Sequence, residues 1–163
     1  MKLRIAGIAN DSIVDGPGLR LTVFFQGCPY GCPGCHNPQT HEPRGGREAD
    51  TAEILDLMEK NPLLDGLTLS GGEPFMQPEA ALALARAARY KGLNVWIYSG
   101  ATYEELKARR DKVTDALLEA CDVLVDGPFI MAGRSLDLRF RGSRNQRLID
   151  LEKTRQAGQA VEK

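Results

Sequence analysis

The chain has 163 residues, 42% hydrophobic and 26% charged, with four cysteines, two histidines and a formal net charge of −1. That length can bury a core without metal or disulfide staples, but it falls short of the about 250 residues of a complete (β/α)₈ barrel. A near-neutral charge argues against a general nucleic-acid binder, no stretch approaches the roughly 18 apolar residues of a membrane span, and Met1 to Asp11 lacks a signal peptide's apolar centre. A soluble, cytoplasmic protein is expected, with no nucleic-acid or membrane partner.

Leu3 to Ile8 predicts an early strand, and Leu21 to Phe25 a short β-rich one that ends just before the first cysteine. Asp50, with Glu53 three residues on, reads as a capping box for a helix whose apolar face is Ile54, Leu55 and Met58, stopped by Asn61-Pro62. Gly66 to Ser70 reads as a buried strand followed by Gly71-Gly72-Glu73-Pro74. Pro78 starts a helix with Ala81, Leu82, Ala85 and Ala88 on one side and Gly92 as its C′ residue. Leu93 to Tyr98 is the next strand, closed by Ser99-Gly100, and Thr102 with Glu105 repeats the capping-box signal. Val113 to Ala120 is helical, Val123 to Val125 a strand before Asp126-Gly127-Pro128, and Arg147 to Leu151 a late strand. From Gln156 the tail is polar and expected to fray. With no repeat or linker, residues 1–163 read as a single domain.

Alternating strands and helices predict parallel βα units with right-handed crossovers. The cysteine loop, Gly71-Gly72-Glu73, Ser99-Gly100 and Asp126 each follow the C-terminal end of an expected strand. In such architectures that edge is where sites are built, so the four segments describe one pocket.

Cys28, Cys32 and Cys35 fall within eight residues, in a segment with three glycines and three prolines from Gly27 to Pro38, while Cys121 stands apart. Such a loop can aim three sulfurs at a common centre. Three thiolates can hold three corners of a cubane iron–sulfur cluster and leave one iron open to a small molecule, whereas electron-transfer clusters use four cysteines. The metal alternative is zinc on the same three cysteines, with His41 or Cys121 as fourth ligand. Gly71-Gly72 lets backbone approach a ligand and Glu73 can accept from an ammonium or hydroxyl group; taken alone, the same three residues also suit a plain turn.

The triplet Cys28-x3-Cys32-x2-Cys35, together with Ser70-Gly71-Gly72-Glu73-Pro74, resembles the radical S-adenosylmethionine enzymes. Asp15-Gly16-Pro17-Gly18-Leu19-Arg20 and Cys35-His36-Asn37 resemble the activases of glycyl-radical enzymes. Val125-Asp126-Gly127-Pro128-Phe129 and the run from Phe140 to Arg147 are similar to one branch, which activates anaerobic (class III) ribonucleoside-triphosphate reductase. The resemblance covers roughly residues 12 to 150. It implies an α/β fold, a partial (β/α) barrel of about five or six mainly parallel strands. It also implies one 4Fe-4S cluster on Cys28, Cys32 and Cys35, with S-adenosylmethionine as second cofactor. Gly71, Gly72 and Glu73 would line that cofactor's amino end, Gly34, Cys35 and His36 its adenine, and Ser99 and Asp126 would be further contacts. The chemistry implied is a 5′-deoxyadenosyl radical that takes hydrogen from a glycine near the C-terminus of the reductase large subunit, with a low-potential electron donor as second partner. No general base is required, and no catalytic residue beyond cluster and cofactor is expected.

His36 stands where many relatives carry an aromatic residue, which glycyl-radical activases tolerate, and no further cysteine motif calls for a second cluster. Cys121 reads as a buried small residue and His41 as a surface loop residue. Residues 134 to 155 carry Arg134, Arg139, Arg141, Arg144, Arg147, Lys153 and Arg155, either a solvated face or a docking surface. Activation of another glycyl-radical enzyme, such as pyruvate formate-lyase, and a zinc-binding interaction module are the alternatives in function.

Overall fold

The structure is a computed structural model describing residues 1–35 and 37–163. Among the described residues one open sheet contains β1 (Lys2–Ser12), β2 (Arg20–Phe25), β3 (Arg47–Asp50), β4 (Gly66–Gly71), β5 (Asn94–Tyr98), β6 (Val123–Asp126) and β7 (Arg147–Asp150). Their order is β3-β1-β2-β4-β5-β6-β7. β2, β4, β5 and β6 are parallel; β1 runs antiparallel to β2 and β3, and β7 antiparallel to β6. The expected parallel βα centre is present and the sheet does not close. It has seven strands, against an expectation of about five or six. The added strand is β3, whose Arg-Glu-Ala-Asp sequence has no apolar alternation and is held at the edge by backbone pairing to β1.

Side chains alternate across the strands and give the sheet two different faces. Leu21, Val23, Phe25, Leu67, Leu69, Val95, Ile97 and Leu124 meet residues of α1 (Thr51–Lys60), α2 (Pro78–Tyr90) and α4 (Lys112–Glu119), among them Ile54, Met58, Leu84, Ala85 and Leu117. Each fully buried Leu or Ile contributes roughly 1.5–3 kcal/mol. Leu84 takes the place in this core that the pattern assigned to Leu82, which is only partly buried. Cys121 is also in this core. On the opposite face stand Arg20, Thr22, Thr68, Ser70, Trp96 and Tyr98, with a smaller apolar cluster of Trp96, Val123 and Val125.

The Thr102–Glu105 capping box forms at the start of α3 (Tyr103–Ala108). At α1, Asp50 caps Ala52, but Glu53 does not return to the cap because the Arg47 guanidinium takes its carboxylate at 2.9 and 3.1 Å. Asp150, expected within a late strand over Arg147 to Leu151, caps α5 (Leu151–Ala157), which runs past Gln156, where fraying was expected, and Gly158 ends it in the left-handed region at φ 75°. The chain then returns beside β7, with Asp150 N donating to Val161 O and Lys163 N to Leu148 O. Among the described residues no helix is long and apolar enough to cross a membrane.

Candidate functional site

Because β2, β4, β5 and β6 are parallel and in register, their C-terminal ends share one edge, with Phe25 opposite Gly71. Each end passes directly into one of the segments singled out above. Backbone hydrogen bonds knit these segments together: Gly27 N donates to Thr40 O at 2.6 Å, Cys28 N to His41 O at 3.1 Å and Glu73 N to Gly27 O at 2.7 Å. Gly71 sits at φ +95°, and a Cβ there would run into the backbone of Phe24 and Phe25; at Gly72 it would meet the carbonyl of Gly27. Glycine is thus required for the β4 loop to lie flat against the start of the cysteine loop.

Between this edge and residues 127–146, which fold over it, lies a cavity of about 410 Å³. Its wall includes Cys28, Cys32, Cys35, Ser70, Gly71, Gly72, Ser99 and Gly100. All three clustered cysteines are free and half-buried. Burial pushes the Cys28 thiol up, against the amide of Tyr30, which favours the thiolate. A bound metal centre reverses that preference. The amide of Asn37 donates to Cys35 Sγ at 3.4 Å. Among the described residues no group of three His, Cys, Asp or Glu side chains could hold a single metal ion.

Two of the proposed contacts stand behind the cavity rather than in its wall. Glu73 is fully buried, and its carboxylate accepts from Gly100 N at 2.7 Å, Phe75 N at 3.1 Å and the Ser99 hydroxyl at 3.0 Å. Burial raises it to about 7 although these donors oppose the shift. Asp126 is equally buried; it accepts from Tyr103 N at 2.7 Å and from Arg147 at 2.6 and 3.1 Å. The Arg147 guanidinium is pushed up, first by Asp126, and also bonds Glu104 at 2.6 Å. Arg147 is therefore an internal clamp rather than a free docking cation. Gly34 packs against the Met131 side chain, and His36 lies outside the described residues.

Other residues of the wall went unrecognised in the sequence. His41 lines the cavity instead of facing solvent, as do Tyr30, Tyr98, Asp15, Arg141 and Gln146. Among the described residues, His41 Nε2 and Arg141 Nε are buried and have no hydrogen-bond partner, as expected where a polar ligand completes a site. Tyr98 was findable, because it shares a strand face with Trp96 two residues earlier. Cys121 cannot join the cluster from the core on the other side of the sheet.

The late motif folds as a strap. Gln146 Oε1 accepts the amides of Gly142 and Ser143, its Nε2 donates to Gly127 O, and Asn145 Nδ2 donates to Pro128 O. Tyr98 Oη donates to Phe140 O at 2.5 Å, and Phe140 meets Trp96 edge-on at 5.2 Å. The early motif has an equally local cause. Buried Arg20 donates to Thr68 Oγ1, Pro17 O and the Asn94 backbone, holding the loop that brings Val14 and Asp15 to the cavity.

Residues 14–149 match the family described as a 4Fe-4S single cluster domain. The anaerobic ribonucleoside-triphosphate reductase-activating protein of Salmonella typhimurium is 35% identical over 142 residues, covering 82% of this chain and 90% of that protein. The protein of the same description from Vibrio cholerae is 37% identical over 142 residues, covering 82% and 89%. The pyruvate formate-lyase-activating enzyme of Clostridium pasteurianum is 37% identical over 140 residues; the match covers 80% of this chain and 58% of that longer protein. The cysteine-lined cavity and these matches over most of its length agree: the chain belongs to the family of anaerobic ribonucleoside-triphosphate reductase-activating proteins, built on a single 4Fe-4S cluster domain.

Proposed function

We propose that the chain is an activating enzyme that generates a glycyl radical on the large subunit of anaerobic ribonucleoside-triphosphate reductase, using one 4Fe-4S cluster and S-adenosylmethionine. The observation that carries this reading is the meeting of the three free thiols with Gly71-Gly72 and Ser99-Gly100 in one cavity wall. Cys28, Cys32 and Cys35 would hold the cluster and leave its fourth iron to the cofactor. When bound, the pair supplies a carbon-centred radical able to remove hydrogen from a glycine Cα, given one electron from a low-potential donor.

The chain's own residues bind, orient and shield. Gly71 and Gly72 bring bare backbone to the cavity. Glu73 holds the Ser99-Gly100 shelf in place and Asp126 anchors the start of α3. His41 and Arg141 offer polar atoms that no group among the described residues satisfies. Tyr30, Tyr98 and Phe140 give the wall an aromatic surface, and the strap covers it from water. The three free clustered thiols suit a reducing compartment, which supports the cytoplasm as the place of action.

The test is anaerobic reconstitution with iron and sulfide, then dithionite and S-adenosylmethionine. The expected product is 5′-deoxyadenosine, lost in Cys32→Ala, with a glycyl radical signal when the reductase large subunit is added. Radical formation on pyruvate formate-lyase instead would favour the alternative target. Stoichiometric zinc with no product would favour the interaction module.

A further inference from the structure

We propose that the His41 imidazole donates a hydrogen bond from Nε2 to a sulfur of the bound iron–sulfur cluster, and so sets how readily the cluster accepts its electron. The proposal rests on the activating-enzyme reading for the cluster itself and gives a task to a residue that this reading leaves without one.

The backbone around His41 is fixed on both sides. Its carbonyl accepts Cys28 N at 3.1 Å, its amide donates to Pro38 O at 3.2 Å, and the Thr40 carbonyl before it accepts Gly27 N at 2.6 Å. Buried Gln26 holds the same segment through Nε2, which donates to Gln39 O at 3.0 Å and to Glu42 O at 2.7 Å. His41 is thus tied to Cys28, the first of the three clustered thiols, and lines the cavity together with all three. Its Nε2 is buried and, among the described residues, has no partner. A buried ring nitrogen left unpaired costs free energy, so the group that fills the cavity is the one to meet it.

The neighbouring donors point to sulfur as that partner. Cys35 Sγ accepts Asn37 N at 3.4 Å, and the amides of Tyr30 and Gly31 favour the Cys28 thiolate. The loop therefore already turns backbone donors toward two of its sulfurs, and His41 adds one from a side chain beside Cys28. Hydrogen bonds to cluster sulfurs are among the factors that set reduction potential. One-electron reduction adds a negative charge to the cluster, so a donor stabilises the reduced form more than the oxidised one. The electron still comes from the low-potential donor. The hydrogen bond shifts only the equilibrium, with no bond broken and no proton moved.

The experiment is a redox titration of the reconstituted full chain followed by electron paramagnetic resonance, without S-adenosylmethionine, on wild type, His41→Phe and His41→Gln. Phenylalanine keeps a ring and loses the donor, whereas glutamine presents an amide N–H at similar reach. At a fixed solution potential the ratio of reduced to oxidised cluster should be about tenfold lower in His41→Phe, which is about 59 mV for a one-electron couple, and close to wild type in His41→Gln. A wild-type ratio in His41→Phe would overturn the proposal; weaker binding of S-adenosylmethionine by that variant would then assign the contact to the cofactor. Equal losses in both variants would also overturn it, because packing of the ring would explain them. A second measurement does not depend on the Phe variant folding. With isotopically labelled histidine nitrogen, the reduced wild-type cluster should show a weak nitrogen hyperfine coupling that His41→Gln lacks. No such coupling, or a strong one of the kind an iron ligand gives, would overturn the proposal. A wild type that assembles no cluster is a different failure, that of the activating-enzyme reading itself.

Discussion

Glu73 on the loop after β4 accepts the amide of Gly100 on the loop after β5 at 2.7 Å, so one fully buried carboxyl group joins two segments of the cavity rim. Gly100 in turn lies under Tyr30, where a Cβ would come within 2.5 Å of the ring. The link runs from the Gly-Gly-Glu turn through the Ser99-Gly100 shelf to the cysteine loop. It gives Glu73 a positioning task behind the wall instead of a place in it.

That burial makes Glu73 a measurable proton site. Its native value of about 7 lies above the ordinary 4.5, so between these pH values the folded protein keeps a proton that the unfolded chain has released. Stability from this group therefore falls as pH rises through the window and levels off above it. Glu73→Gln carries no such titration. The stability difference between wild type and variant, from urea unfolding, should shift against the wild type by up to about 3 kcal/mol between pH 4.5 and 7.5. A difference independent of pH would show that the carboxyl group is solvated.

Arg147→Ala should destabilise the protein by about 3 kcal/mol, because it leaves the Asp126 carboxylate buried without its cation. Restoring the balance with Asp126→Asn in the same chain should recover part of that loss. Chemical denaturation of the two single variants and the double variant measures the coupling.

Replacing Cys28, Cys32 or Cys35 singly by alanine should abolish iron retention after anaerobic reconstitution, read as iron per chain and visible absorbance. Cys121→Ala should keep the iron and cost about 1–2 kcal/mol of stability through lost core packing. Since burial raises the Cys28 thiol, cluster assembly competes with its proton and should weaken as pH falls.

Tyr98→Phe removes the donor to Phe140 O while leaving the ring in place. Burial holds the Tyr98 phenol protonated well above its ordinary range, so the bond is present at all working pH values. The variant should lose about 1 kcal/mol and cleave faster within residues 127–146 under limited proteolysis. Unchanged cleavage would mean that the strap is held by Gln146 and Asn145 alone.

Much of the rim was legible in the chain because the strands that lead to it carry strong local signals. Runs such as Leu21 to Phe25 and Leu93 to Tyr98 are apolar enough to mark buried strands, and each parallel strand ends at a segment of glycine, serine, aspartate or cysteine. The Thr102–Glu105 box formed because both partners lie within one helical turn. The Asp50–Glu53 box did not, because Arg47 reaches Glu53 from β3, a strand without an apolar pattern. The α5 helix had its own signals, Asp150 as cap and Gly158 as stop, but the first fell in a run that reads as a strand and the second in the polar tail from Gln156.

By itself, then, the chain determined the parallel βα order, the cysteine loop and the segments that meet around it, since these follow from local pattern and spacing. Tertiary structure decided which acids face the cavity and which stand behind it. Glu73 and Asp126 are turned inward because Gly100, Ser99, Tyr103 and Arg147, distant in sequence, bring donors to them that a buried carboxylate needs. It likewise separated the arginines: Arg147 closes on Asp126, while Arg134 and Arg144 stay exposed. That division depends on the strap folding back over β5, a long-range contact that no local window of sequence contains.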